Sequence, residues 1–272
     1  RFFSFLPFHP EVWTRVEASL GSFESEYWLR ARADSFDSEG FDISHALEKL
    51  IEFGRPDEAL NAMRWLLKEK KLGPEIVLRA LESLTADQTL DPVEIGESIR
   101  FLQGDNSVDE ARLRRVEWKF LPFLGDFRQA RPTKLSQALA DDPEFFVSVI
   151  ATVFRSDKEE EASETTNEQV DLARSAYRLL YEWKTPPGTR VDGAFDPGAL
   201  IDWVAVVKEK CKESGHWDSA ANQIGEVLFY SPRDTSGLWL DPVCEILDIP
   251  DHDEMRTGFS TQIFNSRGCA TV

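Results

Sequence analysis

An all-α fold, an irregular array of about a dozen helices packed as helical hairpins, follows from three observations on the sequence. Four Asp-Pro dipeptides, Asp91-Pro92, Asp142-Pro143, Asp196-Pro197 and Asp241-Pro242, each stand directly before an apolar run of helical period. An Asp side chain accepts from the open N–H groups of a first helical turn, and proline lacks the N–H that would go unpaired at the next position. The starts fall 51, 54 and 45 residues apart, a spacing that fits one pair of helices per unit. Strand signals are scarce, since no Asn-Gly or Asp-Gly pair sits between alternating runs and Asp192-Gly193 marks only a turn.

The elements follow in order. Pro10 to Leu20 places Val12, Trp13, Val16 and Leu20 on one face, and a second helix after Ser22 carries Phe23, Tyr27 and Trp28. Asp42 or Ser44 caps a third, with Ala46, Leu47, Leu50 and Ile51 as its stripe up to Gly54. The turn Gly54-Arg55-Pro56-Asp57 restarts the chain into Ala59, Leu60, Met63, Leu66 and Leu67. Pro74 to Leu84 and Pro92 to Leu102 are short helices. Ser107 and Glu110 have capping-box spacing before a helix through Leu113, Val116, Trp118, Phe120 and Leu121, which Pro122 disturbs. Pro132 to Ala140 and Pro143 to Phe154 make a pair. Val170 to Trp183 is amphipathic, with Leu172, Ala176, Leu179, Leu180 and Trp183 in register. After the Pro- and Gly-rich turn 184–198 come a helix with Leu200, Ile201, Val204 and Val207, then Trp217 to Tyr230, Pro242 to Ile249 and Asp253 to Phe264.

Ser156 to Gln169 has five Glu and no large apolar side chain, which predicts an exposed acidic loop and the place of any domain boundary. The expected organisation is an N-terminal helical-repeat portion 1–155, the loop 156–169, and a C-terminal helical portion 170–272 continuous with the first.

Composition excludes several functions. Forty-nine acidic and 31 basic residues give a formal charge of −18, which repels a phosphate backbone and favours a basic protein partner. The longest apolar runs fall well short of the roughly 20 residues that cross a bilayer. Cys211, Cys244 and Cys269 form no C-x-x-C pair, so neither a disulfide framework nor a zinc site is signalled, and a reducing cytoplasm fits. The start at Arg1 reads as part of a longer chain with other domains. His9, His45, His216 and His252 have no metal-ligand spacing, and phosphate-loop, dinucleotide and nucleophile-elbow patterns are missing, so no catalytic residue, metal or cofactor is expected. Lys208, Lys210 and Lys212 around Cys211 form a setting that lowers a thiol pKa, but the favoured reading is an ordinary surface or half-buried helical cysteine.

Eight Trp and 19 Phe supply core anchors between hairpins and leave some rings for a binding surface. Arg55, Trp65, Trp217, Trp239 and Arg267 are the candidate binding residues, because each lies beside a turn where an exposed anchor is tolerated. The alternative is an all-helical enzyme or ligand-binding domain with a pocket between helices.

The junction Gly54-Arg55-Pro56-Asp57-Glu58-Ala59-Leu60 resembles those of tetratricopeptide-type and related alpha-solenoid repeats, in longer and less regular units. The segments Val116-Glu117-Trp118-Lys119-Phe120-Leu121-Pro122 and Phe264-Asn265-Ser266-Arg267-Gly268 resemble parts of the bacterial STAND ATPases of anti-phage defence, whose helical repeats follow a nucleotide-binding switch. That resemblance implies a non-catalytic sensor or scaffold region that recognises a protein. It carries over no ATPase residue, since none of that enzyme's signatures is here.

Overall fold

The computed structural model describes residues 6–19, 22–32, 44–69, 73–86, 90–125, 130–158, 166–189, 194–230, 240–249 and 252–268. They form fourteen α-helices and one 3-10 turn; among them no strand occurs, and Thr189 and Phe195 make an isolated antiparallel bridge. The chain is all-α, as its sequence predicts. It divides into two compact units, Arg1–Pro132 and Thr133–Val272.

In the first unit α1 (Pro10–Glu17) and α2 (Phe23–Trp28) bring the rings of Phe8, Trp13, Tyr27 and Trp28 together. The Trp28 side chain is fully buried, and Tyr27 donates its hydroxyl to the Pro7 carbonyl at 3.0 Å. Then follow α3 (Ser44–Glu52), α4 (Pro56–Glu69), α5 (Pro74–Ser83), α6 (Pro92–Gln103) and α7 (Glu110–Lys119). Helix α5 packs on α3, α4, α6 and α7, and Leu47, Leu50, Met63, Leu81, Ile95, Ile99 and Leu102 form the core around it. Arg112 on α7 holds both carboxylate oxygens of Glu82 at 2.9 and 2.7 Å and reaches Glu75 at 2.8 Å. This paired geometry keeps the Glu82 carboxyl below its ordinary value.

The capping box expected at Ser107 is not formed. Ser107 instead bonds the Asp105 carboxylate through both its N–H and its hydroxyl, and Asp109 caps α7 by accepting from Arg112 N–H at 2.8 Å. An Asx turn at Asp105 competes for the serine, and a carboxylate one residue before Glu110 is the stronger cap. A capping box does lie at Thr166 and Gln169, inside the stretch read as a loop, so α10 begins at Asn167 rather than Val170. Pro122 does end α7, and residues Leu121–Phe123 continue as the 3-10 turn.

The second unit contains α8 (Thr133–Asp141), α9 (Pro143–Val153), α10 (Asn167–Leu179), α11 (Pro197–Ser214), α12 (Trp217–Tyr230), α13 (Leu240–Asp248) and α14 (Asp253–Gly268). Helix α9 packs against α8, α10, α11 and α12, and α12 crosses α14 closely. The rings of Phe146, Trp183 and Trp203 pack together with centroids 5.1 to 6.2 Å apart, the two tryptophans edge to face and Phe146 tilted against both. The acidic stretch does not separate units, because both of its flanks belong here. Its first residues are fixed on the end of α11: Ser156 donates its hydroxyl to the Ser214 carbonyl at 2.7 Å, Asp157 N–H bonds the Gly215 carbonyl at 2.8 Å, and the Lys158 ammonium meets the carbonyls of Lys212 and Glu213. These donors satisfy carbonyls that a helix C-terminus leaves open. Gly215 permits the contact, since it holds φ +72° and a Cβ there would lie 2.5 Å from the Ser156 hydroxyl oxygen.

Three Asp-Pro starts behave as predicted. Asp91 accepts from Val93 N–H at 2.9 Å, Asp142 from Phe145 N–H at 3.0 Å, and Asp196 from Gly198 and Ala199 N–H at 3.0 and 3.2 Å. The fourth differs: α13 starts at Leu240, so Asp241 and Pro242 lie within its first turn, where a missing N–H costs no hydrogen bond. Replacing Asp142 by Ala is expected to destabilise the second unit by about 1 kcal/mol, read as a lower urea midpoint with an unchanged slope.

Candidate functional site

Two surfaces of the second unit bring chemistry together. The first is the outer face of α10. Ala176 and Leu179 of its apolar stripe and the C-cap Leu180 are buried, while Val170 and Tyr177 on the helix and Tyr181 in the turn that follows it are 43%, 45% and 53% exposed. Arg174 and Arg178 are exposed on that face too. Arg174 pairs with Asp171 at 3.4 Å. The two tyrosines share a hydrogen bond between their hydroxyls at 3.0 Å and sit edge to face, with centroids 5.3 Å apart. Loss of water around its hydroxyl, then the Tyr177 hydroxyl and the Glu226 carboxylate of α12, push the Tyr181 phenol above its ordinary value. The Tyr181 phenol is therefore held neutral, and the two rings are fixed in one arrangement without being covered.

The second surface is an open cleft of about 350 Å3 lined by Lys212, Trp217, Asp218, Asp253 and Glu254. Trp217 is 8% exposed, and its ring lies 5.7 Å from that of the buried His252 and 5.6 Å from the Lys208 ammonium. His252 Nδ1 is 2.6 Å from the Ile246 carbonyl oxygen, and Arg256 pairs with Asp253. The cleft is polar and carries three carboxylates at its rim.

The residues singled out from the sequence fall as follows. Trp217 lines the cleft, mostly buried. Arg55 spends its donors inside the first unit, on the Leu29 carbonyl at 2.6 Å and on Glu58 at 3.0 Å, with Asp57 at 3.5 Å. Trp65 belongs to α4 and Arg267 to α14, with side chains outside the described residues, and Trp239 lies outside them altogether. The α10 residues were not among the candidates. The signal for them is the recurrence of Val170, Tyr177 and Tyr181 away from the helix's main apolar stripe.

Cys211 is fully buried on α11, and burial pushes its thiol up to about 12, so the neighbouring lysines do not activate it. Cys244 is exposed. A thiol reagent at pH 8 is expected to label Cys244 in the native chain and Cys211 only after unfolding, which peptide mass spectrometry reads directly. Among the described residues no group of three or more His, Cys, Asp or Glu is placed to hold a metal ion, and no helix is long and apolar enough to cross a membrane. No protein-family model, no curated protein and no solved structure matches this chain.

Proposed function

We propose that this chain is a non-catalytic protein-interaction region, a sensor or scaffold of the alpha-solenoid kind, as its resemblance to the STAND defence proteins implies, and that it binds a basic partner protein through α10 in the reducing interior of the cell. The observation that carries the reading is the exposed stripe of Val170, Arg174, Tyr177, Arg178 and Tyr181. Tyrosine and arginine are the residue types that dominate binding energy at protein interfaces, and two rings already held by a mutual hydrogen bond lose little freedom on binding. A charge of −18 speeds the encounter with a basic surface.

The test is affinity capture from cell lysate at low and moderate salt, comparing the native chain with Tyr177→Ala/Tyr181→Ala. The reading expects a protein that the native chain keeps at moderate salt and the double variant loses. Equal capture by both chains, or loss of every protein at moderate salt, removes its support.

A second reading, a ligand-binding helical domain, is favoured by the cleft at Trp217, where Lys212, Asp218, Asp253 and Glu254 converge. It expects a small cationic compound to raise the melting temperature of the native chain but not of Asp218→Asn/Glu254→Gln.

A further inference from the structure

We draw no further inference here: the strongest candidate, the exposed face of α10 with the Tyr177 ring and the Tyr181 ring just past the helix end, belongs to the surface already described, and nothing in the structure shows what covers it.

Discussion

Trp28→Ala is expected to destabilise the first unit by about 3–5 kcal/mol, the largest single effect in the chain. The Trp28 ring is fully buried and meets Phe8 at 6.3 Å, Trp13 at 6.3 Å and Tyr27 at 5.1 Å between centroids. Removing it leaves a cavity lined by three other rings, which cannot collapse without moving α1 against α2. Calorimetry should show the unfolding transition that contains α1 and α2 shifted down by roughly 10 °C or more. A shift of only a degree or two would show that this aromatic cluster does not hold the two helices together.

A comparable loss is expected from the addition of a single methyl group where α12 crosses α14. A Cβ at Gly225 would run into the Met255 carbonyl oxygen and lie 2.9 Å from Phe259 N, and one at Gly258 would run into the Asn222 carbonyl oxygen and lie 3.0 Å from its carbonyl carbon. The obstacles are backbone atoms of the facing helix, so neither clash is relieved by a side-chain rotation. Gly225→Ala and Gly258→Ala should each cost about 3 kcal/mol, the upper part of the range for overpacking, and the double variant should cost less than the sum because one displacement of α14 serves both. Gly104→Ala is the control. It ends α6 at φ −82°, and its Cβ would meet nothing closer than 3.5 Å, so the change should be neutral or slightly stabilising. Urea denaturation of the four variants measures all of these differences. Equal stability of Gly225→Ala and Gly104→Ala would contradict the close crossing.

Helix identity was readable because the apolar period and the cap residues act locally. Asp91, Asp142 and Asp196 each bond the first-turn N–H groups that their position before proline predicts. Competition among neighbouring polar groups was not readable: Asp105 takes Ser107 from its expected cap, and Thr166 with Gln169 turns the end of the acidic stretch into helix. The division of the chain depends on tertiary contacts. Ser156 and Lys158 tie the start of the acidic stretch to the end of α11 through backbone carbonyls more than 50 residues away, to which no local pattern points. Glycine shows the same limit, since a glycine inside a helix weakens it locally, while Gly225 and Gly258 here let the backbones of α12 and α14 approach closely.

The candidate surface was legible only in kind. An exposed cluster of Tyr and Arg is what a protein-binding region implies, but turn proximity drew the choice towards Arg55, whose guanidinium is occupied by the Leu29 carbonyl and Glu58, and Trp217, which is mostly buried. The exposed rings of Tyr177 and Tyr181 sit in the last turn of α10 and just past its end. A period search that seeks one apolar stripe per helix passes over a second, sparser one.

Hydroxyl-radical labelling of the chain, alone and in the complex captured from lysate at moderate salt, tests the central claim most directly. Binding through α10 predicts that Tyr177 and Tyr181 lose labelling several-fold in the complex, while the fully buried Tyr27 stays unlabelled in both states and the rim of the cleft at Asp218 and Glu254 is unchanged. Undiminished labelling of the two tyrosines, with protection falling on the cleft residues, would contradict it.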